Sequence, residues 1–507
     1  MSASATSFRH PQPARALPPV NLVEIILDHA RRAPARPALV ADRPEGPRVV
    51  RYGALASGIG RFAAALDGSG LAADARVLLL LQPDPDVYAF ALGVMASGRT
   101  LVLVDGRRGL RRLLDAIDHA DAIVGPPALL GWWPLIPAMR RARRFTSLRA
   151  VLRSRGHARA AAEPRATGVE AHSPALVSFS SGNTGRAKVV TRTHGVLLAQ
   201  HRALATAFPL DGDDVNLPGF PMATIHNLCC GTATVLPSAD LRAMADAEPE
   251  LLVALIERCG VTSISGAPAF LSRLSRTILG RGGSLAHVRR VVAGGGPVGR
   301  ALCADVLDAF PVADAHVLYG ASEAEPISVA PMRDVLAAPE GEGFLVGRPP
   351  LGTHLKLRGG DGGRALVGEV LVCGPQVATR GGWHETGDIG RMDASGRLWL
   401  LGRVERALAR RCGVGQPYVA EAIALALAGV RHAAHVAHRL APDGELVVEL
   451  RGDAHAAATL AQLRASLDVR GLAGLPIRRR RTIPMDARHA SKVSRGALAA
   501  ALEREGR

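Results

Sequence analysis

Apolar residues along this chain recur at two spacings. Residues 22–32, LVEIILDHARR, repeat at the three-to-four interval that turns one helix face into a core. Residues 87–97, VYAFALGVMAS, predict a second helix. Gly98 and a short apolar strand at 100–104 follow, ending at Asp105. Runs such as VLLLLQ at 77–82 are strand-length and almost wholly apolar, as parallel strands covered on both faces should be. Helices alternate with such strands to about residue 320, which predicts an α/β fold. From Gly352 the texture changes. HLKLRG, GEVLVCG and GRLWLLGR are short strands with glycine turns and predict a small β-rich, barrel-like subdomain. After Gly402-Arg403 come a helix at 419–427, strands at 435–438 and 446–450, a helix at 456–467, and a basic tail. That stretch is about 100 residues, a normal size for a small domain. The expected organisation is a large N-terminal domain over 1–402 and a small, mobile α+β domain over 403–507. There is no internal repeat, and the first residues, to about 20, are expected to be mobile.

Composition adds limits. With 507 residues the chain exceeds one compact core. Its 48% hydrophobic and 21% charged content is that of a soluble globular protein, and 4% aromatics leave aliphatic side chains to fill the interior. The N-terminus has no apolar segment resembling a secretory signal, and no apolar run is long enough to span a bilayer. The net charge of +17 raises the possibility of nucleic acid. However, Arg140, Arg141, Arg143, Arg144 and Arg478 to Arg481 carry no interleaved aromatics for base stacking, so these clusters are expected to be solvated surface. Six cysteines form no CxxC or other metal spacing, which points to reduced thiols and a cytoplasmic setting. Nearly every cation is arginine. Only Lys188, Lys356 and Lys492 are lysines, so a retained lysine marks a place where a compact ammonium has a use. No role is evident for Lys356.

Candidate chemistry begins at residues 178–190, SFSSGNTGRAKVV. An apolar strand leads into Ser180, Ser181, Gly182, Asn183, Thr184 and Gly185, and Lys188 closes the run. Backbone N–H groups, hydroxyls and one ammonium make a polyphosphate nest. A plain polar turn is the alternative, and a Walker loop is excluded because it would need glycine at Ala187. Gly294, Gly296 and Gly299 fit GxGxxG, with Asp314 twenty positions after Gly294, a formal dinucleotide fingerprint. Pro297 inside it removes one amide from such a nest. In HVLYGASEAEPIS, a Tyr-Gly turn presents Ser322 and Glu323, and Glu323 is a possible Mg²⁺ ligand. WHETGDIG places Asp388 after a tight turn, where it could accept from a ribose diol or simply close an Asx turn.

In this order, the pieces resemble the adenylate-forming superfamily of acyl-CoA synthetases, peptide-synthetase adenylation domains and luciferases. The motifs that carry the resemblance are SFSSGNTGRAK, Gly294 to Pro297, Tyr319-Gly320-Ala321-Ser322-Glu323, Thr386-Gly387-Asp388, Gly402-Arg403 and Lys492. It spans nearly the whole chain and implies the acyl-CoA synthetase fold, ATP, Mg²⁺ and a carboxylic acid converted to an acyl-adenylate and pyrophosphate. It places Ser180 to Gly185 and Lys188 on the β,γ-phosphates. The resemblance puts Gly294, Gly295, Gly296 and Pro297 beside the adenine, Tyr319 to Ser322 in the ATP site, Asp388 and Arg403 at the ribose and hinge, and Glu323 with Thr184 at Mg²⁺. Lys492 bridges the carboxylate and the α-phosphate, which makes Lys492, Glu323 and Thr184 the catalytic set.

The chain also departs from the common pattern. Ala187 and Val189 replace the usual proline and glycine. The acyl-pocket motif reads Pro221-Met222-Ala223-Thr224, with His226 and Asn227 following. ALARRCGVGQPYVAEAI follows Arg403, and Lys492 sits eight positions after Pro484. PMDARHASKVSR, YGASEAEPIS, FPMATIHN and VGPPALLGWW resemble one branch, the β-lactone synthetases of bacterial olefin and β-lactone biosynthesis. That branch implies a β-hydroxy fatty acid whose own hydroxyl closes the lactone. The alternatives are an acyl-CoA synthetase, an acyl-AMP ligase loading a carrier protein, or a nucleotide-binding protein without catalysis. The expected partners are the acid and a carrier protein or biosynthetic enzyme, with no nucleic acid and no membrane span.

Overall fold

The structure, a computed structural model, describes residues 20–104, 110–153, 164–181, 187–238, 244, 247–359, 367–379, 382–403, 417–486 and 491–505. Four sheets organise them. In the six-stranded sheet the order is Arg143–Phe145, Ala122–Val124, Arg76–Leu79, Thr100–Leu103, Pro174–Ser181 and Ala187–Thr193. All its neighbours are parallel except the last pair, an antiparallel hairpin. The inner strands are apolar on both faces: Val77, Leu78, Ala122, Ile123 and Val124 are fully buried. Burying one such side chain contributes about 1.5–3 kcal/mol. The helix Pro85–Ala96 lies against this core. It begins with proline in its first turn, its start is capped by the Asp84 side chain accepting from the Asp86 N–H, and it is apolar all round because it is covered all round.

The eight-stranded sheet runs Ala324–Pro331, Asp314–Ala321, Arg290–Gly294, Ser263–Gly266, Val215–Pro218, Ala233–Leu236, Pro37–Ala41 and Arg48–Arg51. Its interior pairs are parallel and both edge pairs antiparallel. The glycine-rich region beyond Gly352, joined by the strand Phe344–Gly347, forms an antiparallel five-stranded sheet ordered Phe344–Gly347, Leu398–Arg403, His384–Met392, Val367–Cys373 and His354–Arg358. There Lys356 does have a contact: its ammonium sits 4.4 Å from the centre of the Trp383 ring. Among the described residues no helix is long and apolar enough to cross a membrane.

The last region has its own three-stranded sheet, Val430–His438, Ala441–Leu450 and Ile477–Arg480, with the helices Pro417–Ala426, Ala456–Val469 and Arg495–Glu505 packed around it. Two expectations change here. The strands outrun their apolar centres, because the antiparallel hairpin pairs polar residues as well as apolar ones. The basic tail is also not bare surface. Ile477–Arg480 is a parallel strand, and its arginines are paired: Arg478 with the buried Glu445 at 2.8 Å, Arg479 with Asp453, and Arg480 with Glu505 at 2.9 Å.

Glycines let this region close onto the rest of the molecule. A Cβ on Gly296 would lie 2.8 Å from Ser491, and one on Gly299 would lie 3.1 Å from Leu425. The spaces that made 294–299 look like a dinucleotide loop are thus filled by the C-terminal region.

Candidate active site

Two hairpins from different sheets meet at one point. In the first, Ser180 pairs with Lys188 in register, and Ser181 with Ala187. Gly182, Asn183, Thr184 and Gly185 lie outside the described residues. In the second, Tyr319 belongs to the strand Asp314–Ala321, whose chain turns at Ser322 and Glu323 into Ala324–Pro331. Across the gap Lys188 Nζ lies 2.9 Å from Glu323 Oε1. The Glu323 side chain is 13% exposed and that of Lys188 54%, so solvent screens this ion pair from the lysine side.

A third element supplies a buried carboxylate. Asp388 lies within the strand His384–Met392, rather than after a free turn, and is directly opposite Arg403. Gly387 has φ 71°, and a Cβ there would lie 3.2 Å from the Arg403 guanidinium, so this position favours glycine on two counts. The turned backbone lets Thr386 Oγ1 accept from the Asp388 N–H at 3.0 Å. Arg403 Nη1 donates to Asp388 Oδ1 at 2.8 Å, and the Tyr319 hydroxyl donates to Oδ2 at 2.6 Å. Burial, and then the Asp388 charge, push the Tyr319 phenol well above its ordinary range, so it remains a donor. Burial alone would lower the Arg403 pKa; Asp388 reverses this and leaves it raised.

Lys492 arrives from the C-terminal region with its backbone held by Asp486. The Asp486 carboxylate accepts from the N–H groups of Ser491 and Lys492 at 3.0 and 2.8 Å, and the Asp486 N–H donates to the Lys492 carbonyl at 2.7 Å. Ser491 rests on Gly296 and accepts from the Ala269 N–H at 3.2 Å. Lys188, Gly295, Gly296, Pro297, Tyr319 to Glu323, Asp388, Arg403 and Lys492 all line one cleft of about 2040 Å³.

A family model described as AMP-binding enzyme matches residues 26–380. This chain belongs to that family. Olefin beta-lactone synthetase from Stenotrophomonas maltophilia is 29% identical, the match covering 86% of this chain and 88% of that protein. Olefin beta-lactone synthetase from Xanthomonas campestris pv. campestris is 28% identical over 94% and 97%. Among solved structures, ATP-bound MatB from Rhodopseudomonas palustris superposes with a TM-score of 0.77 at 20% identity, covering 96% of this chain and all of that one. ATP-dependent adenylation of an acid is the chemistry of this AMP-binding enzyme.

In the AMP-binding enzyme's cleft, the residues expected around the acyl group divide. His226 and Asn227 line the cleft from the helix Pro221–Cys229. Thr224 is wholly buried behind them and is not among the lining residues. Asn227 donates to Asn216 at 2.8 Å, and Asn216 donates to Ser263 at 2.9 Å, a buried polar chain at the cleft wall.

Other cleft residues escaped the sequence reading. Arg495, three positions after Lys492, forms a two-pronged ion pair with Glu421 at 2.5 and 2.6 Å, with side chains 10% and 2% exposed. Its guanidinium also lies 5.6 Å from the Tyr418 ring centre and donates to the His435 carbonyl at 2.7 Å. The available signal was KVSR itself, a second cation three positions after Lys492. His201, on the facing helix His194–Ala207, meets His226 at 3.1 Å.

Proposed function

We propose that the enzyme adenylates a β-hydroxy acid and then closes it to a β-lactone. The observation that carries this reading is the near full-length similarity to two proteins named olefin beta-lactone synthetase. In the first step the acid's carboxylate oxygen attacks the α-phosphorus of ATP and pyrophosphate leaves. Negative charge grows on both fragments, and cations already in place stabilise it without reorganising. Lys492 would sit between carboxylate and α-phosphate. Lys188, with the 180–185 loop, would hold the β,γ-phosphates, and Asp388 would accept from the ribose hydroxyls, its lone pairs oriented by Tyr319 and Arg403.

Mg²⁺ fits the donor set. Glu323 offers a hard carboxylate oxygen at the cleft, the ligand type Mg²⁺ takes beside phosphates. Glu323 and Thr184 would hold it, and the ion would draw charge from the departing pyrophosphate.

In the second step the β-hydroxyl oxygen attacks the activated carbonyl. A ring C–O bond forms, the carbonyl–phosphate C–O bond breaks, AMP leaves and the hydroxyl proton is lost. The nucleophile is tethered to its target, which raises its effective concentration enough to favour closure of a strained ring. No thiol is required.

Incubation with ATP and a β-hydroxy acid, without coenzyme A, tests the proposal. The expected product is one water lighter than the acid, with AMP released. A plain fatty acid should stall as bound acyl-adenylate. A thioester formed from both acids only when coenzyme A is present would make the enzyme an acyl-CoA synthetase instead.

A further inference from the structure

Read alone, the cysteines show no metal spacing, but the fold brings two histidines beside one of them. Cys230 caps the helix Pro221–Cys229, so His226 and Cys230 stand four positions apart on one face. His201 reaches them from the helix His194–Ala207. His201 Nδ1 is 3.1 Å from His226 Nδ1, and Cys230 Sγ is 3.6 Å from His226 Nε2. One donor atom from each of the three lies within 4.8 Å of the other two.

We propose that His201, His226 and Cys230 form a three-ligand site for a divalent ion of the zinc class, with its remaining position open to the cleft. Two nitrogens and one sulfur are a borderline-soft set, suited to Zn²⁺ and unsuited to Mg²⁺. His226 can give one ion only one of its two ring nitrogens. With one donor atom per residue, all within 4.8 Å, and tetrahedral zinc holding nitrogens about 3.3 Å apart and a nitrogen and sulfur about 3.6 Å apart, shifts on the order of 1 Å complete the geometry. Burial lowers His226 to about 3 and His201 to about 4, which keeps both rings in the neutral form that binds metal. The Cys230 thiol, pushed up to about 12 chiefly by burial, would lose its proton to solvent as the sulfur–metal bond forms. His201 and His226 both line the cleft, so the fourth ligand would be water or an oxygen of a bound acid. The nearby carboxylate, Asp214, is committed to Arg289 at 2.8 Å and does not compete for the ion. This site stands on its own geometry and does not depend on lactone formation.

Chelator-treated full-length protein titrated with Co²⁺ tests it. The expected result is uptake of one equivalent, with the visible bands of a four-coordinate ion, a sulfur-to-cobalt charge-transfer band, and displacement by Zn²⁺. Cys230→Ser, close to isosteric, should abolish the charge-transfer band and weaken binding at least about tenfold. His226→Ala and His201→Ala should weaken it as much, with unfolding temperatures confirming that each variant is folded. If the parent protein takes up no stoichiometric cobalt, or all three variants bind as the parent does, the trio is a hydrogen-bonded relay and the proposal fails.

Discussion

Tyr319 donates to Asp388 across 2.6 Å, joining the second strand of the eight-stranded sheet to the five-stranded one. The bond fixes one carboxylate oxygen of a side chain only 11% exposed, while Arg403 fixes the other. Hydrogen bonds to charged groups contribute about 1.5–3 kcal/mol, so Tyr319→Phe should weaken ATP binding roughly tenfold. Calorimetric titration with ATP measures this, and unchanged affinity would remove Tyr319 from the role of orienting the ribose anchor.

Lys492→Ala should lower acyl-adenylate formation at least a hundredfold, on the order of 3 kcal/mol of lost charge stabilisation, while ATP binding stays within a few-fold. Pyrophosphate exchange reads the first quantity. Parent-level exchange would show that another group meets the α-phosphate.

Glu323→Gln replaces a carboxylate with a poorer ligand for a hard cation and also breaks the 2.9 Å pair with Lys188. The Mg²⁺ concentration giving half-maximal rate should rise on the order of tenfold. An unshifted Mg²⁺ dependence would place the metal elsewhere.

Gly296→Ala puts a Cβ 2.8 Å from both the Cβ and the carbonyl oxygen of Ser491, so the Lys492 turn must lift away. We expect adenylation to slow by about tenfold or more, since a misplacement on the order of 1 Å can cost far more. If the small domain swings between half-reactions, consumption of pre-formed acyl-adenylate should be spared. Equal loss in both steps would argue for a single fixed arrangement.

Acid should destabilise the fold before the carboxylates titrate. Burial lowers His194, His432 and His435 from 6.5 to about 4 each. His194 Nδ1 also accepts from the Leu22 N–H at 3.2 Å. The unfolded chain takes up these protons near pH 6.5 while the folded chain refuses them until about pH 4. Stability is therefore full above pH 6.5 and is lost as pH falls from there toward 4. Thermal unfolding followed from pH 7.5 to 5 should show a falling midpoint. Neither ring nitrogen of His435 has a hydrogen-bond partner among the described residues, so His435→Leu should flatten the slope. A midpoint independent of pH in this window would contradict the buried neutral histidines.

Local pattern carried much of this protein. The parallel strands are apolar runs because both faces are covered, and a strand's own residues report that. The motifs proposed for the nucleotide site are likewise contiguous, with Tyr319 to Glu323 making one hairpin tip and Thr386 to Asp388 one turned strand, so they could be picked out before any fold was known. Partnership could not. Nothing near Gly296 in the chain announces Ser491, and Arg478 to Arg480 read as solvated until Glu445, Asp453 and Glu505 close on them. His226 and Cys230 share a helix face, but a third ligand exists only because another helix brings His201 across. Those pairings depend on sheet order and on the docking of the C-terminal region. They are set by burial summed over the whole core, which no short stretch of sequence contains.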